Sequence, residues 1–138
     1  MQKEFANKQE KSEAINKPGK KGVARLIAAA RYSSEGLAAA WRNEEAFRIE
    51  VILLIFIIPL ALWVGETPAE RAILVAVSLV VLPLELINSA IEATVDRIGP
   101  EKHSLAKIAK DTGSAAVAVA LVSWLIVWSC IVIPKLPI

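Results

Sequence analysis

Glu85, Asn88, Glu92 and Asp96 follow one another at steps of three, four and four. On a helix that spacing sets all four on one face. Their neighbours Leu82-Pro83-Leu84, Leu86-Ile87 and Ala90-Ile91 are mostly apolar. A carboxylate in such company is costly, and by default it is functional. The chemistry that suits it is proton removal from a hydroxyl. A second polar set, Asn43-Glu44-Glu45-Ala46-Phe47-Arg48-Ile49-Glu50, opens another apolar run. Glu44 and Glu92, brought to one level from different helices, are what a Mg²⁺ bridged to phosphates needs. Lys110-Asp111 precedes a third apolar run, and a lysine beside carboxylates neutralises phosphate charge. Each feature also has a plainer reading. Glu44 and Glu92 are ordinary solvated groups at a surface, Lys110 is an interface anchor, and Glu85 pairs with a base from another helix. The last is weakened because the apolar runs offer no Lys or Arg at the depth of Glu85.

Absences narrow the chemistry. The chain has no G-x-x-x-x-G-K-S/T loop and no protein-kinase signature set, and Pro18-Gly19-Lys20-Lys21 is not a phosphate-binding loop. Nucleotide handling would fall to metal-bound carboxylates and scattered basic side chains. A single histidine, His103, excludes a poly-His metal site. Cys130 is the sole cysteine, has no internal disulfide partner and is expected to be a small packing residue. A net charge of +2 gives no reason to expect nucleic acid.

The elements that position these groups follow from segregation of charge. The 138 residues suffice for one domain, 55% of them hydrophobic and 22% charged. Ile49 to Val64, Ala72 to Leu84 and Gly113 to Ile133 carry almost no charge, whereas the ends and one connector carry nearly all of it. The prediction is all-α: a bundle of three transmembrane helices over about 46–64, 69–98 and 107–133. In the turn Gly65-Glu66-Thr67-Pro68-Ala69-Glu70, Thr67 caps the second helix, Pro68 suits its first turn and Glu70 completes a capping box. Gly99-Pro100 stops that helix. Its length of roughly 45 Å exceeds a hydrocarbon core, so its inner end projects beyond the lipid. Counted from Pro68, Glu85 lies about 25 Å along the axis, near the inner hydrocarbon edge, and Glu92 about 10 Å further. Small residues from Gly113-Ser114-Ala115-Ala116 through Ala118 and Ala120 let the third span approach a neighbour closely.

Val23, Leu26, Ile27, Ala30, Leu37 and Trp41 recur at helical spacing among Arg25, Arg31 and Glu35, which predicts an amphipathic helix over about 23–41 lying in the interface. Residues 1–22 read as a polar, disordered tail, and 23–138 as a single membrane domain. Of the sixteen Lys and Arg residues, ten precede the first span, four (Arg97, Lys102, Lys107, Lys110) lie in the second connector, and only Arg71 and Lys135 lie on the other side. The positive-inside rule then places the N-terminus in the cytoplasm and the C-terminus outside. The first twenty residues have no apolar core resembling a signal peptide.

Asn43-Glu44-Glu45-Ala46-Phe47-Arg48, the run from Glu85 to Ala93 with Asp96-Arg97-Ile98-Gly99, and Ala109-Lys110-Asp111 with Gly113-Ser114-Ala115-Ala116-Val117 strongly resemble the prokaryotic diacylglycerol kinase family. The segment around Arg25, Tyr32-Ser33 and Gly36-Leu37 resembles that family's surface helix, and the likeness covers roughly residues 23–133. It implies a homotrimer of three-span subunits in the bacterial inner membrane, with active sites shared between neighbours. It implies transfer of the ATP γ-phosphate to diacylglycerol, giving phosphatidic acid. By that resemblance Glu85 is the general base, and Glu44 and Glu92 hold Mg²⁺ under the nucleotide. Arg25, Tyr32, Glu101, Lys102, His103, Lys110 and Asp111 join them in binding ATP. Ala29, Ala30, Ser33, Trp41, Ala46, Phe47, Arg48, Glu50 and Ser114 surround the lipid beside Glu85, with Asn88 and Asp96 as supporting polar groups.

Two positions depart from the family pattern. Lys107-Ile108 replaces a frequent Gly-Arg pair, and Ile49 stands where Gln is common. A related reading is an undecaprenol kinase, disfavoured by Asn43-Glu44-Glu45-Ala46-Phe47-Arg48. A reading from another class is a non-enzymatic transporter or pore subunit, in which the acidic stripe would line a water path.

Overall fold

Among the described residues many large apolar side chains are exposed, and several polar ones are buried. In the computed structural model Ile55, Phe56, Trp63, Val119, Leu125 and Ile126 are all more than half exposed, while Ser78, Glu85 and Asn88 are buried. That inversion suits a chain whose surroundings are hydrocarbon. The structure describes residues 22–99, 101 and 103–136. Lys102 and Pro100 lie outside that set, as does all of the expected tail but Gly22.

The described residues are all helical or in short connections: α1 (Val23–Asn43), α2 (Glu45–Val64), α3 (Pro68–Leu79), α4 (Val81–Ile98), α5 (Ser104–Val132) and a closing 3₁₀ turn (Ile133–Lys135). Three stretches are long and apolar enough to cross a membrane: Glu45–Val64, Pro68–Ile98 and Ser104–Lys135. The chain divides into two units, one ending at Leu37 and the other running from Ala38. In the first, Arg31 pairs with Glu35 at 3.4 Å and its guanidinium stacks over Tyr32.

Within the second unit, α4 lies along α5 on a seam of small contacts. Val81, Val117 and Ala120 form a buried cluster with Leu84 against it, and Gly113 extends the same face of α5. A Cβ on Gly113 would sit 2.5 Å from Asn88 Oδ1, so glycine is what lets α5 meet the acidic stripe. Leu74 and Ala61 close the packing of α2 on α3, both without exposed surface.

The second span differs from a continuous rod. It breaks for one residue at Val80, between α3 and α4. Pro83 is the cause: it has no N–H to offer the carbonyl of Leu79 one turn earlier. Gly99, with φ 153°, takes the chain out of α4 in a conformation that favours glycine.

At the opposite end, Thr67 Oγ1 accepts the N–H of Glu70 at 3.1 Å, as expected of the cap. Glu70 reaches back to the backbone N–H groups of both Thr67 and Glu66, as the expected capping box requires. Its Oε2 accepts the N–H of Glu66 at 2.9 Å and is shared with Lys135 Nζ at 2.5 Å. Lys135 also donates to the carbonyl of Val64 at 3.2 Å, tying the end of α5 to the turn. Cys130 corrects an expectation: it is exposed on the chain's surface and packs into no interior. On a helix whose buried face runs through Gly113, Val117 and Ala120, its register points it elsewhere.

Candidate active site

Glu85 occupies the first turns of α4, directly beyond Pro83, and is only 7% exposed. Among the described residues it has no salt-bridge partner, so the ion-pair alternative finds no support. The charges acting on it are other carboxylates: Glu44 and Glu92 lie within Coulombic reach, and so does Glu50. Four acidic groups from α2, α4 and the residue before α2 thus converge. A cluster of like charges is costly unless a cation or a proton joins it.

Glu44 reaches that position through a break in the backbone. It is the single non-helical residue between α1 and α2, with φ −109° and ψ 114°. The joint is held by Arg48, whose Nη1 donates to the carbonyls of Trp41 at 3.0 Å and Arg42 at 3.2 Å. Those are carbonyls at the end of α1, left without helical partners by the break. Arg48, expected beside the lipid, therefore has a structural duty that its sequence position did not announce.

Glu92 is held from its own helix. Asn88 Nδ2 donates to Glu92 Oε1 at 3.1 Å. Asn88 Oδ1 is buried with no hydrogen-bond partner among the described residues, as is Glu50 Oε2. Orphaned acceptors of this kind ask for a donor or a cation. Gly113→Ala is expected to push Asn88 from this pose and cost roughly tenfold in activity. Thermal unfolding should change less than the activity, and equal losses would make Gly113 a packing residue only.

One turn further along α4, Asp96 takes Lys110 Nζ at 2.6 Å, bridging α4 to α5, and the ammonium also lies within Coulombic reach of Glu92. Lys107 pairs with Asp111 one turn away on α5. Beside them a hollow is lined by Asp96, Glu101, His103, Lys107 and Lys110. His103 Nδ1 accepts the N–H of Leu105 at 3.2 Å and caps α5, a second role absent from the sequence reading. Arg25, Ala29, Ala30, Tyr32 and Ser33 lie on the part of α1 in the first unit. Trp41, Ala46 and Ser114 are exposed residues of the second, and Phe47 is buried.

Among the described residues no group of three His, Cys, Asp or Glu side chains is gathered to enclose a metal ion. Glu44 and Glu92 would offer hard oxygen ligands, but too few for a resident ion. That donor set fits a Mg²⁺ that arrives already carried by phosphates.

Comparison with known proteins adds an independent line. A family model described as prokaryotic diacylglycerol kinase matches residues 31–132, including Glu44, Glu85, Glu92 and Lys110. A diacylglycerol kinase of Haemophilus influenzae is 48% identical over 107 residues, 78% of this chain and 91% of its own length. The Pseudomonas aeruginosa enzyme of that name is 47% identical over 115 residues, 83% and 94% of the two chains. That of Escherichia coli K12 is 46% identical over 112 residues, covering 81% and 91%.

Proposed function

The chain belongs to the prokaryotic diacylglycerol kinase family, and from that premise we propose that it phosphorylates diacylglycerol with ATP at the cytoplasmic face of the bacterial inner membrane. It is a lipid kinase, a phosphotransferase acting on an alcohol. Glu85 is the base: its carboxylate takes the proton of the lipid hydroxyl. The lipid oxygen bonds to the γ-phosphorus, the bond from that phosphorus to the β,γ-bridging oxygen breaks, and ADP and phosphatidic acid result. Glu44 and Glu92 hold Mg²⁺, which when bound offsets negative charge on the phosphates. Asn88 orients Glu92, and Lys110 and Asp96 bound the nucleotide side. Arg25, Tyr32, Glu101, Lys102, His103 and Asp111 complete the ATP set, and Glu50 the lipid side. A homotrimer that shares sites between neighbouring subunits is part of this reading.

The observation that carries it is a buried carboxylate, Glu85, that has no cationic partner among the described residues and is flanked by Glu44 and Glu92. A greasy alcohol reaches the first from the bilayer and a polyphosphate reaches the others from water. Positioning at that boundary supplies most of the advantage. The positive-inside count assigns the boundary to the cytoplasmic side.

The test is transfer of label from γ-labelled ATP by purified protein in mixed micelles, with diacylglycerol and undecaprenol offered separately. Label should pass to diacylglycerol far faster than to undecaprenol, and a chelator should stop it. Preferential labelling of the polyprenol, or none of either lipid, would overturn the assignment.

A further inference from the structure

Alongside the carboxylate cluster, a cavity of about 110 Å³ runs between α2, the second span and α5. Glu50 stands on its wall with Leu53, Leu54 and Ile57 of α2, and Ser78, Leu121 and Trp124 are among the residues opposite. Apart from Glu50 and Ser78 the lining is hydrocarbon and indole, and a cavity of that size and character takes up a small apolar group in preference to water. From Glu50 to Ile57 is two helical turns, about 10 Å toward the bilayer centre. Ser78 lies two turns from Glu85 along the second span, also about 10 Å, so the two walls span the same depth. The cavity therefore starts at the level of the reacting carboxylates and ends at the level of Ser78.

Its inner end is built of fixed parts. Ser78 is 3% exposed and its hydroxyl is fully used. Oγ donates to the carbonyl of Leu74 at 2.7 Å and accepts the indole N–H groups of Trp124 at 2.8 Å and Trp128 at 3.1 Å. One donor and two acceptor sites are all a serine hydroxyl has. The two rings lie with centroids 5.5 Å apart, so Trp124 is held both by its hydrogen bond and by its neighbour. Inside hydrocarbon, such a node keeps one geometry because every alternative leaves an indole or a hydroxyl unpaired. The other end carries Glu50 Oε2, buried and without a hydrogen-bond partner among the described residues.

We propose that this cavity receives one acyl chain of the lipid substrate, and that Trp124, pinned by Ser78, is the stop that determines which chains fit. The proposal rests on the lipid-kinase reading and adds to it a determinant of substrate choice. A diacylglycerol with its free hydroxyl at Glu85 has its glycerol at the level of Glu50. One chain can then descend two turns along Leu54 and Ile57 until it meets the indole. Ser78 and Trp124 are positioning and specificity residues, remote from the transferred phosphate.

The test compares kcat/KM for dioleoylglycerol and dihexanoylglycerol in mixed micelles. Trp124→Ala removes the stop, and the ratio of long to short substrate should rise about tenfold. Leu121→Phe narrows the same cavity, and the ratio should fall by a similar factor. Ser78→Ala frees both indoles and should move the ratio in the direction of Trp124→Ala, by less. A ratio unchanged in both Trp124→Ala and Leu121→Phe overturns the inference while leaving the kinase reading intact. If Trp124→Ala does not fold, as judged by gel filtration and thermal unfolding, Leu121→Phe decides alone. Wild-type protein that phosphorylates neither lipid overturns the kinase reading itself, and the inference with it.

Discussion

Glu85→Gln lowers kcat for lipid phosphorylation by about 10²–10⁴-fold and leaves KM for the nucleotide near its wild-type value, the range expected for loss of a general base. Glutamine matches glutamate in size and keeps an acceptor, so packing around α4 survives. What goes is the capacity to take a proton. The variant should also unfold at a temperature no lower than wild type. Glu85 is buried among Glu44, Glu50 and Glu92 with no cation beside it among the described residues, and removing its charge relieves that crowding. Higher stability with lost activity marks a residue kept for chemistry at a cost to the fold. A Glu85→Gln protein that was less stable and still active would identify a structural carboxylate instead.

The second large effect concerns Glu44 and Glu92, the pair proposed to face the nucleotide. Glu44→Gln and Glu92→Gln should each raise the Mg²⁺ concentration needed for half-maximal activity by at least about 10–100-fold at fixed ATP, since loss of even a supporting contact to a metal site costs that much. Together they should cost much less than the product of their separate effects, because both act on one ion. Asn88→Ala should fall between wild type and Glu92→Gln, since Asn88 only steadies one oxygen of Glu92. Magnesium titrations of all four variants with diacylglycerol in micelles read these values directly. Strict additivity of Glu44→Gln and Glu92→Gln would separate the two residues into different sites.

Much of this arrangement was legible in the sequence, for identifiable reasons. The spans showed because lipid imposes a composition rule that no local detail can override. The acidic stripe showed because a helix fixes which residues share a face, and Glu85, Asn88 and Glu92 are buried or partly buried together. Thr67 capped its helix as its type predicts. What stayed hidden depended on distant partners. Nothing local says that Arg48 will reach back to the carbonyls of Trp41 and Arg42. Nor does spacing say that indoles 46 and 50 residues away will meet at Ser78. The break at Val80 was foreshadowed by Pro83, although the apolar run masked it. His103 was read only as a member of the ATP-binding set that the resemblance implies, yet it serves α5 as a cap.

The proposed mechanism divides labour along α4, with the proton handled at Glu85 and the metal-nucleotide at Glu92 together with Glu44. Paramagnetic Mn²⁺ binding, followed by electron spin resonance with a non-hydrolysable ATP analogue, separates the two tasks without turnover. Glu85→Gln should retain nucleotide-dependent Mn²⁺ binding at wild-type affinity, and the double variant Glu44→Gln/Glu92→Gln should lose it. Loss of the ion from Glu85→Gln, or its unchanged retention in the double variant, would contradict the assignment.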